Sequence, residues 1–161
     1  MKKLILIFFI VGLSAAAWPQ NVTPAMKLSS DLAVVVNTRN NATEISSSEL
    51  GLYLTGEKRF WSGKAPVQLV LLQPGTHEFD MPVEKLLKMK PQAFKEFWKS
   101  KVFRGEANAE PTYVPSSGMA AQFSRDLTGA LTMLAARDLP PDAKVLKVDG
   151  KYPGEPGYPL R

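Results

Sequence analysis

His77, Glu78 and Asp80 place an imidazole and two carboxylates within four residues, just past the turn Gln73-Pro74-Gly75-Thr76. Two kinds of chemistry suit such a group. Acid–base catalysis is one, but His77 is the sole histidine and the chain has no cysteine. A thiolate nucleophile and thiolate metal ligation are thereby excluded, and a transition metal would have one imidazole and carboxylates to hold it. A Ser–His–Asp set would need Ser116 or Ser117 carried to His77 by the fold, and no nucleophile-elbow pattern surrounds either serine. The expectation is a protein that is not an enzyme and needs no metal or cofactor. Anion binding is the other chemistry. A strand that runs through a glycine turn into a helix presents free backbone N–H groups and the positive end of the helix dipole. Gly75, Thr76 and His77 are therefore candidate ligand-binding residues, with Asn37, Ser116 and Ser117 as the turn and cap residues that could join them.

The elements around these residues read as α/β. Val67-Gln68-Leu69-Val70-Leu71-Leu72 is an apolar, branched run bounded by Pro66 and Gln73-Pro74-Gly75, as expected of a buried central strand. Leu32 to Val36 is a second such run, with Asn37 to Asn41 as its turn. Ser46 with Glu49 three residues on predicts a capped helix that stops near Gly56. Strand, short helix, strand in this order predicts a parallel pair with a right-handed crossover, which would bring Asn37 beside Gln73 to His77. Val83, Leu86 and Leu87 share a helix face after the turn. Pro91 suits the first turn of the next helix, where Phe94, Phe97 and Trp98 recur at core spacing. Short strands are expected at 112–114, 130–135 and 143–148, the last at a sheet edge, with a helix from Met119 to Asp126. Tyr152 to Arg161, rich in proline and glycine, reads as an extended surface tail, and Phe60 and Trp61 as exposed aromatics on a polar turn.

The first residues have the order of a signal peptide. Lys2 and Lys3 precede the apolar stretch Leu4 to Leu13, and Ala15-Ala16-Ala17 supplies small residues for cleavage. Ten apolar residues fall short of the roughly 20 a spanning helix needs. The expected division is a signal peptide at 1–17, a flexible leader at 18–30 and a single domain at 31–161, in a periplasmic or secreted protein with no membrane span after cleavage. The formal charge is +5, and without Lys2 and Lys3 the chain holds 18 basic and 15 acidic residues. Lysines gather between Lys85 and Lys101 but alternate with glutamates and apolar residues, as on the solvated face of helices. No nucleic-acid partner is expected from that pattern.

One family resembles this order of features. Val34-Val35-Val36-Asn37, Ile45 to Leu50, Leu54-Thr55-Gly56-Glu57 with Trp61-Ser62-Gly63-Lys64, Phe97 to Gly105 and Val145 to Gly150 are similar to segments of the phosphate-binding proteins of ABC transporters. The resemblance runs from about Asp31 to Leu160. It implies a single three-layer lobe of the type II periplasmic-binding-protein fold, with a mixed, mostly parallel sheet flanked by helices. In full-length members two lobes close on the anion, and an arginine precedes a Ser-Gly-Thr-like helix start. Gln73-Pro74-Gly75-Thr76-His77 aligns with that start, with Gln73 nearest the place of the arginine. The resemblance further implies an exported, weak binder of inorganic phosphate or a similar small oxyanion, associated with phosphate uptake. The alternative is an interaction module that keeps the fold, has lost the phosphate site and meets an envelope protein partner.

Overall fold

The computed structural model describes residues 23–161. The expected signal peptide and the first part of the expected leader lie outside the described residues. Six strands form one mixed sheet: β1 (Leu32–Val36), β2 (Glu44–Ile45), β3 (Gln68–Leu72), β4 (Thr112–Val114), β5 (Ala130–Ala135) and β6 (Lys144–Val148). Their order across the sheet is β2-β6-β1-β5-β3-β4. Parallel pairing joins β2 to β6 and β3 to both β5 and β4, whereas β1 runs antiparallel to β5 and β6.

Helices cover both faces, which makes three layers. On one face lie α2 (Ser47–Leu54), α3 (His77–Leu87) and α4 (Pro91–Phe103). Their Leu50, Tyr53, Phe79, Phe94 and Trp98 pack against Leu32, Val34 and Val36 of β1. On the other face α1 (Pro24–Lys27) and α5 (Ser117–Asp126) meet Ala33 and Val35 through Met26, Ala120 and Ala121. The alternation along β1 is that of any strand, but both faces are apolar because both are covered.

Local signals in the chain account for these helices. Ser46 caps α2 by accepting from the Glu49 N–H at 3.0 Å. Glu49 does not reach back to complete a capping box, and its carboxylate pairs with Lys58 instead. Gly56, at φ 67°, ends the helix, and a Cβ there would lie 2.6 Å from the Trp98 ring. Glycine at this position thus serves both the left-handed turn and the seating of α4.

Several expectations are corrected. β3 is one strand from the edge, and β1 with β5 holds the middle of the sheet. The parallel β1–β3 pair does not form, because β5 lies between them and reverses their relative direction. Residues 24–30 are not a loose leader throughout. Met26 is buried, and the Lys27 ammonium donates to the Leu139 carbonyl. The carboxyl-terminal segment is no surface tail either, since Tyr158 and Leu160 are buried and the Leu32 N–H donates to the Leu160 carbonyl at 2.8 Å. Of the two aromatics expected outside, Phe60 is 56% exposed but Trp61 is buried, its indole donating to the Gly129 carbonyl at 3.1 Å.

Candidate functional site

β3 and β4 run parallel with Leu72 level with Val114, so the turns that follow them open on one edge of the sheet. Each turn leads into a helix. Gln73 to Thr76 leads into α3, and Pro115 with Ser116 leads into α5. Both positive helix ends therefore lie at the carboxyl ends of β3 and β4, that of α3 on one face of the sheet and that of α5 on the other.

The first turn is held from inside. Gly75 has φ 92° and donates its N–H to Asp80 Oδ1 at 3.0 Å. The Thr76 hydroxyl donates to the Gln73 carbonyl at 2.8 Å. The Thr76 carbonyl accepts from the Phe79 and Asp80 N–H groups, as a helix start requires. Among the described residues, no acceptor takes the N–H groups of His77 and Glu78. At the second turn the Ser116 hydroxyl accepts from the Met119 N–H at 3.2 Å, and the Ser116 carbonyl accepts from Ala120. The N–H groups of Ser117 and Gly118 are left without an acceptor among the described residues. Two pairs of acceptor-free donors, one on each face of the sheet, therefore stand at the carboxyl ends of β3 and β4, and free N–H pairs at helix starts suit an oxyanion.

The charges are less uniform. α3 carries Glu78 and Asp80 in its first turn, whereas the first turn of α5 has no acidic residue. Gln73 is exposed and contributes no charge. The donors of α5 thus see a more favourable field for an anion than those of α3.

Gly75, Thr76, His77, Ser116 and Ser117 all lie at this edge, and Asn37 does not. Val36 is level with Leu131, and Leu131 with Leu69, so Asn37 sits beside the amino end of β3. Five residue steps from Gln68 to Gln73 separate the two levels, roughly 16 Å at about 3.3 Å per step. The buried Asn37 amide has a different task. Its Nδ2 donates to the carbonyls of Ser124 and Arg125 at 2.9 and 2.7 Å, and its Oδ1 accepts from the Arg39 N–H. It ties the carboxyl end of α5 to the turn after β1.

Two concave surfaces carry no signal in the sequence, and both lie away from the four donors. A cleft of about 430 Å³ opens at the amino ends of β3 and β4, with Lys58, Arg59, Phe60 and Glu110 in its walls. Another, of about 290 Å³, lies by the turn after β1 and includes Arg39, Asn40 and Thr128. Their residues come from separate loops with no shared motif, so spacing along the chain could not reveal them. Among the described residues no cluster of histidine, cysteine, aspartate and glutamate is arranged to hold a metal ion. No described helix is long and apolar enough to cross a membrane.

No protein-family model matches the sequence, and no curated protein matches it. Solved structures do match the fold. A phosphate ABC transporter substrate-binding protein with bound phosphate from Clostridium perfringens is similar at TM-score 0.59 and 16% identity, over 74% of this chain and 45% of that one. An ABC-type phosphate transport receptor from Vibrio cholerae is similar at TM-score 0.61 and 14% identity, over 76% and 48%. A possible phosphate binding protein from Planctomyces limnophilus matches at TM-score 0.52 and 21% identity, over 74% and 41%. The chain thus has the fold of part of a phosphate-transport binding protein, and its matches span under half of those chains.

Proposed function

We propose that the protein is an exported, single-lobe relative of the phosphate-binding proteins, and that it binds a small oxyanion such as phosphate weakly at the edge shared by α3 and α5. The observation that carries this reading is the set of four acceptor-free N–H groups, from His77, Glu78, Ser117 and Gly118, at the ends of two parallel neighbours. The fold likeness to a protein solved with bound phosphate supports it. Gly75, Thr76 and Ser116 shape the two turns. With Gln73 and no guanidinium at the turn, a bidentate charge-assisted pair is missing, so the affinity of this edge belongs in the millimolar range, on the order of 4 kcal/mol. Binding rather than catalysis also agrees with the neighbours, whose names describe binding proteins and a receptor.

Amide NMR of the protein titrated with phosphate tests the site. Saturable shifts at His77, Glu78, Ser117 and Gly118 below about 10 mM, reduced in Ser117→Pro, are the expected result. A flat response at all four amides would leave the site without a ligand. The interaction reading would then take its place, favoured by Phe60, which is 56% exposed at the wall of the 430 Å³ cleft.

Export rests on the order Lys2-Lys3, apolar stretch, Ala15-Ala16-Ala17. Amino-terminal sequencing of protein recovered from a native envelope fraction should begin at Trp18 or within a few residues of it. An intact Met1 in the cytosolic fraction would refute export. The domain proposed from sequence at 31–161 gains α1 at its amino side, through the packing of Met26.

A further inference from the structure

The 290 Å³ cleft at the carboxyl end of β1 lies at the opposite sheet level from the α3–α5 edge. Its residues come from three places: the turn after β1, the loop before β3 and Thr128 shortly before β5. Asn40 is 8% exposed and nearly all of its hydrogen-bonding capacity is used. Its N–H donates to the Asn37 carbonyl, its Oδ1 accepts from the Ala42 N–H at 2.9 Å, and its carbonyl accepts from the Lys144 ammonium. The Nδ2 alone is buried without a partner. Because Oδ1 is fixed by Ala42, the amide cannot turn over to cure this. A hidden donor left unpaired is costly, and Asn40 is one of the residues that wall the cleft, so an acceptor brought into the cleft would relieve it.

The other walls say what kind of acceptor. Arg39 and the hydroxyl residues Ser62 and Thr128 line the cleft, and no aspartate or glutamate does. Among the described residues no carboxylate lies within ion-pair distance of Arg39. Trp61, Ala42 and Ala65 give the apolar part of the wall. Trp61 is buried, with its ring against Tyr53 at 4.8 Å, so it is a wall and no sugar-stacking platform. A planar guanidinium with amide and hydroxyl donors matches a carboxylate, and the volume exceeds what one bare carboxylate group fills. We infer that this cleft is a second binding site, independent of the oxyanion edge, for a small organic carboxylate, with Arg39 and Asn40 as its recognition residues.

Titration of the intact, ¹⁵N-labelled protein with succinate, and with succinamide as the neutral counterpart of the same size, tests the inference. Succinate is expected to shift the Asn40 side-chain NH₂ and the Gly63 amide saturably below roughly 20 mM, a weak-binding range. Succinamide should leave them in place, and Arg39→Ala should weaken binding about tenfold, the loss of one charge-assisted contact. Arg39 is exposed, so this variant keeps the fold, and its amide spectrum away from the cleft reports that directly. Equal shifts with succinamide, an unchanged affinity in Arg39→Ala, or no saturable shift at Asn40 would each overturn the site. Succinate shifts confined to His77, Glu78, Ser117 and Gly118 would also overturn it, while leaving the oxyanion edge intact.

Discussion

Replacing Trp98 by alanine should cost about 3–5 kcal/mol of unfolding free energy, the range for removing a large aromatic from a packed core. Trp98 is 6% exposed on α4, its indole N–H donates to the Leu54 carbonyl at 3.0 Å, and Phe94 meets it edge-on at 6.5 Å. It also lies directly over Gly56, so the two residues lock α4 to the end of α2. Lys101 on the next turn donates to the Thr55 carbonyl at 2.8 Å and adds to the same junction. Trp98→Phe separates packing from polarity. It keeps most of the apolar volume, leaves the Leu54 carbonyl without its indole donor, and should cost about 1–3 kcal/mol. Urea melts of both variants measure this. A loss below about 1 kcal/mol for Trp98→Ala would mean that the α2–α4 junction does not stabilise the domain.

The aromatic spacing on α4 made Trp98 recognisable as core, and similar local signals served elsewhere. Leu32 to Val36 is apolar on consecutive positions and is a doubly covered strand. Ser46, Gly56, Pro91 and Ser116 each mark a helix end by a backbone requirement that acts within a few residues. What failed depended on distant partners. Nothing between Leu32 and Leu72 reveals that β5, nearly sixty residues further on, inserts between β1 and β3 and reverses their relation. The placement of Asn37 failed with it, because its hydrogen-bond partners are the carbonyls of Ser124 and Arg125. The candidate edge was legible in part, since Gly75 and Ser116 each announce a helix start. Their adjacency came from the pairing of β3 with β4. The cleft at Arg39 and Asn40 was invisible because its walls are polar loop residues of ordinary type.

The carboxyl-terminal segment carries the other large expected effect. Its prolines and glycines suggest a solvated tail, but Tyr158 and Leu160 alternate inward as in a strand that docks on β1. The Tyr158 hydroxyl donates to the Leu32 carbonyl at 2.7 Å, and burial, aided by the nearby Asp31 charge, pushes its pKa up so that it stays a donor. Asp31 is 1% exposed. Burial opposes its ionisation, but hydrogen bonds from Arg161 at 3.0 Å and from the Gly154 N–H at 2.8 Å outweigh that and lower its pKa below the ordinary 3.8. Ending the chain after Gly157 removes the Tyr158 and Leu160 side chains and strips Asp31 of its cation. Leu160→Ala alone should cost about 2–5 kcal/mol, and the truncation should exceed about 5 kcal/mol, enough to unfold a domain of ordinary stability. The pH signature has a definite sign. A carboxyl whose folded pKa is depressed contributes stability that is full above its unfolded value and is lost as pH falls through the folded one. The intact protein should therefore lose stability below about pH 4, and Asp31→Asn should flatten that part of the profile while lowering stability at neutral pH. Urea melts between about pH 2.5 and 7 measure both. A Leu160→Ala variant within about 1 kcal/mol of the parent, with an unchanged acid slope in Asp31→Asn, would show that the segment merely rests on β1.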